Sequence, residues 1–269
     1  MDLPTTLKKS IPLLLPLLLM TNVRAGQFVL DVAYQLESGD YGSDTSTDVS
    51  SIPLQLKYFA DVWSFALEVP YVSVRGDATV VPGVRGQSAG QGPGSSINTP
   101  TSTTQSVTRS GIGDSQLSVS RAFFPQQQEG IFYELTATVK LATADQKKSL
   151  GTGETDYSIK LSMSMEMGNW MPGVSAGYQL TGDTADTDFN DVWFFSAGTG
   201  YRLDQSSRLS AGIDFEQAVN DGADDFTAVS LGYSRDLASQ ASVGINVKAG
   251  LTDNSLDKGL SVFVSIPFK

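Results

Sequence analysis

The feature that most constrains this chain is a period-two alternation of apolar and polar residues, repeated in many short stretches. The last stretch shows it clearly, because apolar side chains occupy every second position: Leu260, Val262, Val264, Ile266 and Phe268. Such alternation predicts a β-strand with one apolar and one polar face. Phe263 is the exception, since it is the one large apolar residue on the polar face.

The alternation recurs from Phe28 onward and predicts twelve strands, an even number. The segments between the strands are alternately short and long. The short ones lie near 60–62, 125–130, 168–169, 204–206 and 236–240, and the longer ones near 38–49, 75–114, 142–154, 181–190, 218–225 and 252–258. Short turns at one end and longer loops at the other are typical of outer-membrane barrels. We therefore expect the first and last strands to pair antiparallel, with Phe28 near Phe268.

Aromatic residues cluster near the two ends of the predicted strands. One set falls near the short-turn end: Phe28, Tyr58, Trp63, Trp170, Tyr201, Tyr233 and Phe268. The other falls near the long-loop end: Tyr71, Tyr157, Tyr178 and Trp193. Two girdles of this kind are typical of the two water interfaces of a membrane barrel.

A soluble β-sandwich or a lipocalin-like barrel is the competing interpretation of the same strands. In those folds the apolar face points inward and the outer face carries charge. Here the polar face would then fill a dry interior with charged residues, which costs much free energy. The sequence therefore predicts an all-β fold, a transmembrane antiparallel up-and-down β-barrel of about 12 strands and of the outer-membrane type.

Residues 1–25 resemble a secretory signal peptide rather than part of the barrel. Lys8 and Lys9 precede a short apolar stretch, and Val23 to Ala25 offer a cleavage site before Gly26. The apolar stretch is interrupted by prolines and is too short for a membrane anchor. Cleavage would leave residues 26–269 as a single barrel domain with a long external loop at 75–114. That loop is rich in Gly, Ser, Thr and Pro, and it either lies on the surface or folds inward to narrow a pore.

The polar face of the strands supplies the candidate lumen-lining residues. They are Asp31, Glu37, Lys57, Glu68, Glu134, Lys140, Lys160, Arg202, Asp214, Arg235, Lys248 and the apolar exception Phe263. Charges of both signs allow two interpretations, a wall whose field sets selectivity or a set of ion pairs that fills a narrow barrel. The sequence does not separate them.

Several kinds of chemistry lack their usual residues. The chain has no histidine and no cysteine, so we expect no catalytic residue, no cofactor and no thiol chemistry. The acidic loops at 183–191 and 221–225 lack the spacing of an EF-hand, so we expect no metal site there. Removing residues 1–25, with three basic residues and one acidic residue, takes the net charge from −11 to −13. Such an acidic protein is not expected to bind nucleic acid.

A series of loop motifs adds a family resemblance. Gly-Ile-Gly-Asp at 111–114, Ala-Thr-Ala-Asp at 142–145, Leu-Gly-Thr-Gly at 150–153 and Thr-Asp-Tyr at 155–157 stand in order along the chain. The series resembles the outer-membrane channel family named for the meta-pathway of phenol degradation, best over roughly residues 110–269. The resemblance implies a barrel with a transport role. The chain departs from it at 142–145, where the family commonly has Pro-Thr-Gly-Asp, and by adding Lys269 after the final aromatic.

Two functions remain open from the sequence. The first is an outer-membrane channel or transporter for passive uptake or efflux of small solutes, hydrophobic or aromatic ones among them. The second is a structural or surface-binding barrel with a plugged lumen, whose loops contact a partner or lipopolysaccharide. An enzyme is not expected. Expected partners are outer-membrane lipid and lipopolysaccharide, the barrel-assembly machinery during insertion, and a small-molecule solute.

Overall fold

The computed structural model describes residues 26–41, 46–76, 80–81, 106–124, 130–221, 223–238, 240–253 and 255–269. The predicted signal peptide at 1–25 lies outside these residues. The strands are β1 (Gln27–Gly39), β2 (Thr47–Ala60), β3 (Trp63–Gly76), β4 (Val107–Ile112), β5 (Ser115–Phe123), β6 (Ile131–Leu141), β7 (Asp156–Met165), β8 (Trp170–Leu180), β9 (Val192–Arg202), β10 (Ser207–Glu216), β11 (Phe226–Asp236), β12 (Ser242–Gly250) and β13 (Lys258–Phe268). A single 3-10 turn, Gln146–Lys148, interrupts the described loops.

The sheet closes on itself as an antiparallel barrel. Each strand pairs with the next one in the chain, except that β4 and β5 both pair with β3, and β1 also pairs with β13. Phe28 lies directly opposite Phe268, and their ring centroids are 5.7 Å apart. The predicted pairing of the first and last strands is therefore confirmed, as is the predicted barrel.

β4 and β5 together occupy one position in the barrel, so the thirteen segments make twelve barrel strands. β4 pairs with the part of β3 nearer the long loops, where Ile112 lies opposite Tyr71. β5 pairs with the part nearer the short turns, where Gln116 lies opposite Glu68. Three residues of the β4–β5 strand thus oppose two residues of β3, which is a β-bulge. The prediction of one loop over 75–114 was wrong at its end. The bulge shifts the apolar–polar alternation by one residue. Residues 107–112 are therefore out of phase with β5 and were not recognised as a strand.

The outer wall of the barrel is apolar and the inner wall is polar. Leucine, isoleucine, valine and aromatic side chains are exposed on the outside of every barrel strand, as with Leu54, Ile159 and Leu231. Because so much apolar surface is stable only against hydrocarbon, the wall spans a membrane. Aromatic pairs lie at both ends, with Trp170 against Tyr201 at one and Tyr178 against Trp193 at the other. In the described residues, no helix is long and apolar enough to span a membrane.

The two ends of the barrel differ as predicted. Both β1 and β13 have their free termini at the short-turn end, together with the turns that follow β2, β7, β9 and β11. The long-loop end carries the segments 40–46, 77–106, 142–155, 181–191, 217–225 and 251–257. The predicted turn at 125–130 lies mostly outside the described residues.

Candidate functional site

The interior of the barrel is the candidate site, and eleven of the twelve predicted lumen residues face it. They are Asp31, Glu37, Lys57, Glu68, Glu134, Lys140, Lys160, Arg202, Asp214, Lys248 and Phe263, each opposite in phase to the exposed apolar residues of its strand. Phe263 lies flat against the inner wall, because its ring covers Gly244 on the neighbouring strand. A methyl group on Gly244 would lie 2.3 Å from that ring, so only glycine fits there.

Arg235 was predicted to line the lumen, and this prediction was wrong. Arg235 is exposed and shares its face of β11 with Leu231 and Tyr233, which lie on the outer wall. The strand runs beyond the apolar zone at its short-turn end, so a charged side chain there reaches the membrane–water interface instead of hydrocarbon. Charge alone was therefore a misleading signal for the inner face.

Six charged residues form a belt across the middle of the interior: Asp31, Lys57, Glu68, Glu134, Lys160 and Asp214. Lys57 Nζ lies 2.9 Å from an oxygen of Asp31. Gln55 donates a 2.9 Å hydrogen bond to Glu68. Lys160 on β7 is within electrostatic reach of Glu134, Lys57 and Asp214, so the belt joins opposite walls. Asp31, Lys57, Glu68 and Asp214 are each at most 9% exposed, whereas Glu134 and Lys160 are partly exposed.

Hydroxyl groups and glycines line much of the remaining inner wall. Cross-strand hydroxyl pairs follow one another around β5 to β9: Ser118 with Thr138 at 2.9 Å, Ser120 with Thr136 at 2.8 Å, and Ser175 with Ser196 at 2.6 Å. Farther round, the inward positions of β9, β10 and β11 include Gly198, Gly212 and Gly232. Among the described residues, the inward positions at the middle of the barrel thus carry mostly charged, hydroxyl or glycine residues.

Nearer the long-loop end, Lys140 bridges two buried carboxylates. Its Nζ lies 2.6 Å from Asp156 and 3.7 Å from Asp114. Each carboxylate also accepts a 3.0 Å hydrogen bond from a loop amide, Asp114 from Ala144 and Asp156 from Gly182. We call these three residues the Lys140 cluster. It ties the bulge of the β4–β5 strand to the loops that follow β6 and β8.

The loop motifs of the sequence converge on this cluster. Thr143 donates to the carbonyl of Gly113, and Gly151 approaches Asp114 so closely that a methyl group would lie 2.6 Å from the carboxylate. The motifs therefore form structural contacts between loops.

Apolar residues from all six long loops fold over the mouth of the barrel. They are Tyr41, Val80, Val81, Leu150, Phe189, Val219 and Leu256, all buried, and we call them the apolar cover. One group contacts Phe226 and Ala228 on β11, a second contacts Val192 on β9, and Leu150 contacts Val49, Val72 and Val74 on β2 and β3. The cover thus packs on inward residues of β2, β3, β9 and β11.

Val80 and Val81 reach across the mouth. Their loop leaves β3, yet they pack against β9 and β11, which lie far round the barrel from β3. Arg109, which faces inward on β4, donates a hydrogen bond to the carbonyl of Val80. The described part of the loop therefore folds inward, which is one of the two arrangements that the sequence left open.

The acidic loops serve as loop-to-loop links in the described structure. Asp183 accepts from the amide of Phe189 at 2.7 Å, and Asp221 accepts from the side chain of Asn190 at 3.0 Å. Among the described residues, no group of three or more acidic side chains is arranged to hold a metal ion.

Sequence reasoning missed Arg109, Asp114, Asp156 and the apolar cover. Arg109 and Asp114 were hidden in the predicted loop, and Asp156 was read only as part of a motif. One signal was available for the cover, because Val80 and Val81 are the main apolar residues in a polar segment.

Comparisons with known proteins agree with this architecture. No curated protein matches the sequence. The fold is similar to the crystal structure of the COG4313 outer membrane channel from Pseudomonas putida F1, with a TM-score of 0.70 and 14% identity, covering 91% of this chain and 97% of that one. It is also similar to the KdgM porin, with a TM-score of 0.53 and 8% identity over 90% of this chain and 99% of that one. At these identities the likeness shows a shared outer-membrane barrel fold.

A family model matches residues 100–265, which hold the β4–β5 strand, the Lys140 cluster and every later strand except the end of β13. The chain belongs to that family, described as a protein of unknown function (DUF3187).

Proposed function

We propose that this protein is an outer-membrane channel for passive passage of small solutes. The observation that carries the proposal is the polar inner wall, which is lined by charged, hydroxyl and glycine residues. Water-filled interiors of this kind are the means by which barrels let solutes cross a membrane. A non-enzymatic role and an outer-membrane location are parts of the same proposal.

The apolar cover narrows the solute class. Because the cover is held by apolar contacts, a solute that enters through it must replace those contacts as the loops part. Small hydrophobic or aromatic molecules can do so, whereas sugars and ions cannot. The sequence resemblance to the meta-pathway channel family supports a transport role. We propose no single solute.

A plugged structural or surface-binding barrel is the second candidate. The observation in its favour is that charged side chains of the belt and apolar side chains of the cover are buried at two heights of the interior. In that case the loops would provide the function, through contacts with a partner or with lipopolysaccharide.

Planar-bilayer conductance and liposome swelling separate the two candidates. We expect low ion conductance from the purified wild-type barrel, and much higher conductance after replacing Val80 and Val81 by serine. Val107→Ser is the matched control, because Val107 is 38% exposed on β4 and lies outside the cover. Small aromatic alcohols should enter liposomes faster than sugars of similar size. A barrel that passes no solute, even with both serines in place, would overturn the channel and favour the plugged barrel.

A further inference from the structure

An arginine lies on the lipid-facing side of the wall at the short-turn end. Arg121 is exposed on β5 and shares its face with Leu117 and Phe123. Its cross-strand neighbours on that face are Trp63 on β3 and Leu135 on β6. An always-charged side chain is thus surrounded by apolar residues on a wall that contacts the membrane.

Two aromatic rings hold the guanidinium in place. Its central carbon lies 5.3 Å from the ring centroid of Trp63 and 4.9 Å from that of Phe123. Both distances are within the range of a cation–π contact, which leaves the N–H donors of the guanidinium available for hydrogen bonds. None of the ion pairs found among the described residues includes Arg121. A positioned cation with free donors therefore faces the membrane.

The height of Arg121 indicates its partner. Trp63 is the first residue of β3 and Phe123 the last residue of β5, so both rings lie at the short-turn rim of the apolar wall. Aromatic rings of such a girdle sit at the level of lipid headgroups. The anion present there in quantity is the lipid phosphate, which matches the planar donor fork of arginine in a bidentate arrangement.

We propose that Arg121, held by Trp63 and Phe123, is a binding site for the phosphate group of a membrane phospholipid. The site is separate from the interior, so it does not depend on whether solutes cross the barrel. It would fix the height of the β3–β5 side of the wall relative to the leaflet at the short-turn end.

Native mass spectrometry of the whole barrel tests the site. The protein is purified in a maltoside detergent, which has no phosphate, and titrated with dimyristoyl phosphatidylglycerol. We expect Arg121→Gln to lower the lipid-bound fraction about fivefold and Arg121→Lys to lower it less, because lysine keeps the charge but not the fork. Dimyristoyl glycerol, which lacks the phosphate, should bind neither wild type nor variant tightly.

Arg235→Gln is the matched control. Arg235 is also exposed on the outer wall at the short-turn end, but it lies within electrostatic reach of Asp204 and, within the described residues, stacks on no ring. Its loss should leave lipid binding unchanged. Equal losses in the two variants, or equal binding of the phosphate-free lipid by wild type, would overturn the proposal. Circular dichroism confirms that each variant is folded before its lipid binding is compared.

Discussion

A buried lysine and its two carboxylate partners connect two of the long loops to the barrel wall. Lys140 is 5% exposed and compensates Asp114 and Asp156 together. Removing one partner of a buried ion pair leaves the other charges uncompensated, which typically costs about 3–5 kcal/mol. We expect Lys140→Met to lower stability by about that amount, and we expect it to loosen the loops whose amides the two carboxylates bind.

The temperature at which the folded barrel converts to its slower-migrating form on a gel measures this effect. Lys147→Met is the control, because Lys147 is exposed and contributes no salt bridge to the described structure. If both variants converted at the same temperature, the cluster would have no structural role.

Strands and turns were predictable because each depends on local patterns. The period of two placed every strand except β4, and loop lengths gave the two ends of the barrel. β4 escaped because the bulge at Gly113 and Asp114 reverses the phase between Ile112 and Leu117. The apolar cover escaped for another reason: its residues lie far apart in the chain, and only the closed barrel brings them to one mouth.

A hydrogen bond joins β4 to Val80 of the apolar cover. Arg109 holds the carbonyl of Val80, whose side chain is fully buried. The chain has no cysteine, so a single Val80→Cys substitution gives a clean probe. We expect a maleimide to label this cysteine slowly in the wild-type background and severalfold faster with Arg109→Ala, because the released segment opens more often.

Arg75→Ala is the control variant for this labelling experiment. Arg75 lies opposite Thr108 on the neighbouring strand, but it is exposed and points away from the mouth. Its removal should leave the labelling rate unchanged. Equal labelling in the Arg109→Ala and parent proteins would mean that the hydrogen bond does not hold the segment.

At the scale of the whole molecule, negative charge is concentrated at the long-loop end. The loop at 181–191 alone carries Asp183, Asp186, Asp188 and Asp191, and the chain has a net charge of −11. Such a field concentrates cations at the mouth. We therefore expect the barrel opened by the Val80→Ser and Val81→Ser pair to prefer potassium over chloride, as measured by the reversal potential across a salt gradient.

The preference should weaken from 0.1 to 1 M salt, where the Debye length falls from about 10 Å to about 3 Å. Replacing Asp186 and Asp188, both exposed, by asparagine should reduce the preference further. A cation preference that is insensitive to salt would indicate that the charge belt rather than the loops controls ion passage, and a preference for chloride would contradict the prediction.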